Sequence, residues 1–198
     1  METIEQQLQR AQKTGHLVEL YRYGDSKHFS VGYVVVSDSK FMLFKQVSTD
    51  GALDGAAVIR LNTISQVKDA SDYLTALTAL IALARQKNFY DIWHIDDVLN
   101  QFDFDQHSIL KTVLKWAFKN DRVISLGIHP GKREEKYTGF VGALKSKKAH
   151  FNYIDRSDLS ARWAVKLAYA DINYLEFASF ETYGATAIME RFMAADFH

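Results

Sequence analysis

Cysteine is absent from the 198 residues, proline occurs once and formal net charge is zero. Without cysteine there is no disulfide, no thiolate metal or redox site, and no Cys-His enzyme. A charge-balanced chain also lacks the general attraction to phosphate backbones that most nucleic-acid binders show. Long apolar runs are missing too. The longest, Tyr73 to Ala84, is interrupted by threonines and is too short to span a bilayer, so no membrane segment is expected. Residues Met1 to Lys13 are polar and charged, which predicts no secretory leader and a cytoplasmic location. No Gly-rich phosphate loop follows a strand, and no G-x-S-x-G elbow occurs. The expectation is a protein that is not an enzyme and carries no cofactor.

What is there is an ordinary globular composition, 47% hydrophobic and 24% charged, arranged as short apolar runs between tight turns. Helical spacing of Ile4, Leu8 and Ala11 predicts a helix over Thr3 to Lys13, stopped at Gly15. Strands are predicted at 16–23, 29–36, 41–47, 57–61 and 64–68, with turns at Gly24 to Lys27, Asp38 to Lys40, Thr49 to Gly51 and Leu53 to Gly55. Ala70 to Gln86 is the strongest helix, capped by Ser71, and its apolar face is wide enough to imply burial on more than one side, between repeats or in a dimer.

The plan then recurs. Placing Gly32 on Gly139 sets Tyr33 on Phe140, Val34 on Val141, Phe44 on Phe151 and Val58 on Val165; one inserted residue then sets Ile64 on Ile172 and Val67 on Leu175. A helix at 108–119, strands at 123–128, 137–143, 149–154, 163–167 and 172–177, and a closing helix at 182–194 complete the second copy. The sequence thus predicts a mainly β chain with α (α+β): a first repeat at 1–88, a connector at 89–105 and a second repeat at 106–198, each a five-stranded small barrel with flanking helices. The two parts differ in charge. Residues 1–105 carry ten Lys/Arg against fourteen Asp/Glu, and residues 106–198 fourteen against ten.

The first repeat resembles the Sm-like family, and more broadly SH3-like small barrels. The resemblance rests on the hydrophobic strand Leu17 to Leu20, Gly32 in the next strand, the turn residue Asp38, the strand Phe41 to Phe44, and the segment Val58 to Ile64 with Arg60; Gly139 repeats Gly32. It implies a tandem of strongly bent five-stranded barrels and assembly by pairing of strand edges. The family's RNA-contacting asparagine position is Met42 here, and the glycine after the arginine is Leu61. In the second repeat the aspartate becomes Lys145 and the asparagine Ala149. The resemblance therefore implies the fold without the RNA pocket.

The expected function is a protein-interaction or self-assembly module, its partner another protein or a second copy. The alternative is an RNA- or DNA-binding regulator. Lys132, Arg133, Lys136, Lys145, Lys147 and Lys148 gather in the loops of the second repeat, with Phe140, Phe151 and Tyr153 nearby in sequence and Glu134 and Glu135 interrupting. Charge that tracks phosphate, interleaved with rings that stack on bases, is the pattern of a single-strand groove. Two groups offer metal-ligand chemistry: Asp91, His94, Asp96 and Asp97, and then Asp103, Asp105 and His107. Neither has a recognised metal-site spacing, and acidic residues at helix starts act as caps, so no metal is expected. His28 and His129 fall at equivalent first turns.

Overall fold

A computed structural model describes residues 2–104, 108–129, 135–155 and 158–195, and of residues 154–155, 158–162 and 192–195 the backbone alone. Lys132 and Arg133, and with them Asp105 and His107, lie outside the described residues. The chain divides into two compact units, Met1–Ile109 and Leu110–His198.

The first unit opens with α1 (Ile4–Thr14). Thr3 caps it: the Thr3 hydroxyl accepts from Gln6 N at 3.2 Å while the Gln6 side chain accepts from Thr3 N at 2.9 Å. Gly15, with φ +64°, ends it in the left-handed conformation. Five strands follow: β1 (Val18–Arg22), β2 (Phe29–Ser37), β3 (Phe41–Val47), β4 (Leu53–Arg60) and β5 (Ile64–Lys68). All pairings are antiparallel, in the order β5-β1-β2-β3-β4. These pairings leave β5 and β4 at opposite ends. The sheet is thus open, and the barrel closure that the sequence predicts is not among them.

α2 (Asp72–Gln86) is capped by Ser71, whose hydroxyl accepts from Leu74 N at 3.1 Å. Its inner row, Leu74, Leu77, Ile81 and Ala84, is buried. Leu20, Met42, Phe44 and Ile59 lie with them among the buried apolar side chains of this unit. Of residues 89–105, read from sequence as a connector, the described part, 89–104, belongs to the first unit. Leu53 N donates to Tyr90 O at 2.6 Å, Ile95 of the short α3 (Ile95–Leu99) is fully buried, and Ile109 N donates to Asp38 Oδ2 at 2.9 Å.

The second unit has α4 (Ile109–Lys119), which begins on the last residue of the first unit, then β6 (Ile124–Ile128), β7 (Glu135–Leu144), β8 (Lys148–Asp155), β9 (Asp158–Ala168), β10 (Ile172–Phe177) and α5 (Phe180–Ala195). Its order is β10-β6-β7-β8-β9, also antiparallel. The register repeats that of the first unit. Val18 faces Gly32 and Ile124 faces Gly139; β2 shifts register between Val34 and Val36, and β7 between Val141 and Ala143. Gly139 follows Gly32, and Val141 follows Val34, by 107 residues (139 − 32, 141 − 34).

The two glycines have one physical reason. A Cβ on Gly32 would stand 2.1 Å from Lys45 O, and one on Gly139 would stand 2.0 Å from Asn152 O. Each strand bends so tightly over its neighbour that no side chain fits. The mixed architecture of helices over antiparallel sheets is the fold class predicted. No described helix is long and apolar enough to cross a membrane.

Candidate interaction surface

The residues singled out for the Sm-like resemblance serve the fold. Asp38 shapes the β2–β3 turn: its Oδ1 accepts from Lys40 N at 2.7 Å and Phe41 N at 2.8 Å. Met42 is fully buried, so the position that would hold an RNA-binding asparagine faces the core. Arg60 lies over the Phe41 ring at 4.5 Å.

The acidic groups weighed for metal binding are otherwise engaged. Asp91 caps α3, its carboxylate accepting from Ile95 N at 2.7 Å and Asp96 N at 3.1 Å. Asp96 accepts from Lys45 Nζ at 2.7 Å, and His94 Nδ1 stands 3.5 Å from Asp97. Among the described residues no group of three His, Asp or Glu is placed to hold a metal ion. His28 pairs with Asp25 at 2.7 Å across its turn.

Two polar networks, invisible to spacing, tie the sheet strands to the start of the closing helices. In the first unit Glu19 is buried on β1. Its Oε2 accepts from Tyr21 Oη at 2.7 Å, its Oε1 accepts from the Ser71 hydroxyl, and Lys68 Nζ stands 4.0 Å away. The residue that caps α2 is thereby tied to the sheet. In the second unit Lys136 donates to Glu176 at 2.9 Å and to Glu181 at 2.5 Å, while Tyr174 Oη donates to Glu176 at 3.0 Å. Burial works against the Lys136 charge, but the two carboxylates more than offset it and hold the ammonium above the ordinary lysine value. Lys136 is thus committed inside the unit, which removes it from the basic cluster. Glu19 carried one signal in the sequence: a charged residue between apolar neighbours on a strand with no polar face.

Lys145, Lys147 and Lys148 do come together. They form the exposed β7–β8 turn, closed by Lys145 N donating to Lys148 O at 2.9 Å. Of the aromatics read with them, Phe151 is core, while Phe140 and Tyr153 are half-buried.

The feature that spacing left open, between repeats or in a dimer, is the outer row of α2. Tyr73, Leu80 and Leu83 are 38%, 38% and 44% exposed, with the exposed Ala76 between them. Steps of three, four and three residues place all four on one stripe. The stripe continues onto the sheet: the Tyr73 ring meets Phe29 edge-on at 5.2 Å, and Phe29, itself 37% exposed, meets Tyr21 at 5.2 Å. The wide apolar face of this helix does point two ways, but only one of them is covered by the described residues.

Searches against family models, curated proteins and solved structures find no match to this chain. Only the geometry speaks to function.

Proposed function

We propose that the protein is a non-enzymatic assembly module, built from two Sm-like curved sheets that arose by duplication, and that it associates with a second copy of itself through the outer face of α2. One observation carries this reading: the stripe Tyr73, Ala76, Leu80 and Leu83 leaves large apolar side chains in water, at coiled-coil spacing, on a well-capped helix. Isolated exposed leucines need no explanation, but a continuous row running onto Phe29 is the kind of patch that marks an interface. Charge favours a copy in antiparallel orientation. The helix starts at the exposed Asp72 and ends beside Arg85 and Lys87, so a two-fold pairing sets acidic start against basic end and Tyr73 against Leu83. The duplication is supported by the shared strand order and by the glycines and register shifts 107 residues apart.

A single helix pair makes a small interface, so a concentration-dependent equilibrium is expected. Sedimentation velocity over a wide range of concentration should show dimer growing in, and Leu80→Lys/Leu83→Lys should abolish it while leaving the urea midpoint unchanged at concentrations where wild type is monomeric. A wild-type chain that stays monomeric up to its solubility limit overturns the reading.

A further inference from the structure

The second unit carries a surface of opposite character, independent of α2. Register places it. Ala143 of β7 faces His150 of β8, which faces Lys166 of β9, so this row crosses three strands on one face. Toward the β7–β8 turn the same face continues with Lys148 opposite Ala168; away from it, Phe140, Asn152 and Ala164 form the next row. The intervening residues Ala149, Phe151 and Leu167 are buried, so the first set lies on the opposite face of the sheet, which is open at Lys148, Asn152 and Lys166 and carries the start of α5 at Thr138, two residues before Phe140, through the Thr138–Glu181 hydrogen bond. Lys148, Lys166 and Asn152 are exposed, and Phe140 and His150 are half-buried.

Lys145 and Lys147 extend this face around the turn. Tyr169 fixes them there: its N donates to Lys147 O at 3.0 Å and its Oη to Lys145 O at 2.8 Å. Lys111 of α4 lies 6.0 Å over the Tyr169 ring. Among the described residues none of Lys111, Lys145, Lys147, Lys148 and Lys166 forms an ion pair, whereas Lys136 has two. Like charges on neighbouring strands repel one another. A face that accumulates them with no counter-charge among the described residues lowers its free energy when an anion supplies it.

We infer that this face binds single-stranded nucleic acid, with the lysines on successive phosphates and Phe140, His150 and Asn152 offering a ring and hydrogen-bonding edges to unpaired bases. An acidic peptide would match the lysines but would leave Phe140 and Asn152 without a role. A duplex has its bases stacked away from a sheet face. The seat is the sheet surface and not only the loops that the sequence pointed to, because Lys166 and His150 reach it through strand pairing.

The test is fluorescence anisotropy of labelled oligothymidylate titrated with the full chain. Contacts of Lys145, Lys147, Lys148 and Lys166 with four phosphates predict affinity falling about 50-fold between about 50 and about 200 mM salt. Lys148→Glu/Lys166→Glu should weaken binding at least tenfold at the lower salt, and Asn152→Ala/His150→Ala should weaken it while leaving the salt slope unchanged. Leu80→Lys/Leu83→Lys should bind as wild type does. Should Lys148→Glu/Lys166→Glu fail to fold, Lys145→Gln/Lys147→Gln, confined to an exposed turn, gives the same readout. No binding at the lower salt overturns the inference, as does undiminished binding by the charge-reversed variant. Polyglutamate competing as well as the oligonucleotide overturns it in favour of an acidic protein.

Discussion

Gly32 and Gly139 show how much a single residue type settles in this molecule. A methyl group at either position would overlap a carbonyl of the neighbouring strand, and backbone cannot step aside as a side-chain tip can. Gly32→Ala and Gly139→Ala should therefore each cost on the order of 2–4 kcal/mol, a steric cost of the overpacking kind. Urea denaturation with an unchanged m-value checks this, and a loss under about 1 kcal/mol would mean that the strands are not so tightly bent. Glu19 supplies a second residue-scale case. Glu19→Ala leaves the Tyr21 and Ser71 hydroxyls without their acceptor in a buried site, and a loss of about 2–3 kcal/mol is expected by the same assay. Tyr33 supplies a third. Its phenol is pushed up to about 12, by burial first and then by Tyr90 and the hydrogen bond they share, with Arg85 opposing. The unfolded chain releases this proton near pH 10, while the folded chain holds it to about 12. The stabilisation is thus complete below pH 10 and lost as pH rises from there through about 12. Because the ring is half-exposed, the loss should be only about 1 kcal/mol. Tyr33→Phe should flatten that part of the stability curve.

At the scale of elements, the sequence was most legible where period and punctuation agreed. Phe41 to Val47 is a short run, apolar and buried through Phe44, that follows the Asp38 turn, and it forms β3 over those same residues. Thr3 and Gly15 bracket α1 within a residue of the expected bounds. Legibility failed where turn residues sit inside a strand. Leu53-Asp54-Gly55 reads as a turn, yet β4 begins at Leu53, because Gly55 at φ +115° lets an extended chain pass through an irregular ladder in which Val47 pairs with Leu53. It stopped short at α2, where the sequence left the second side open between a repeat and a dimer partner. Periodicity counts apolar residues around a helix but does not say whether a partner exists for each face, and the outer stripe looks the same in sequence whether it is buried or not. The basic face was half legible for a related reason. Lys145, Lys147 and Lys148 are neighbours in the chain, whereas Lys166 joins them only through the antiparallel register of β8 with β9. The stripe on α2 makes its own prediction. Leu83→Ala removes one exposed contact, so it should leave stability within about 0.5 kcal/mol of wild type while shifting the monomer–dimer midpoint to higher concentration. A large loss of stability instead would place Leu83 in a core.

For the whole molecule, the division at Ile109 sets what each part can do alone. The first unit holds five strands, α1, α2 and α3, and a buried set that runs from Leu8 to Ile109. Its last described tie, Ile109 N to Asp38 Oδ2, lies beyond the connector boundary suggested by sequence. A fragment of residues 1–109 keeps that hydrogen bond, the Tyr90–Leu53 contact and buried Ile95, whereas a fragment ending at residue 88 forfeits all three. The longer fragment should unfold cooperatively in urea, because a domain with its own core folds as a unit; the shorter one should not. Charge adds a second readout. The longer fragment retains the excess of four acidic groups and none of the lysines of the β8–β9 face, so it should dimerise through α2 yet leave oligothymidylate unbound. Non-cooperative melting of the longer fragment would show that the core is not confined to one unit. Oligonucleotide binding by it would move the nucleic-acid site off the second sheet.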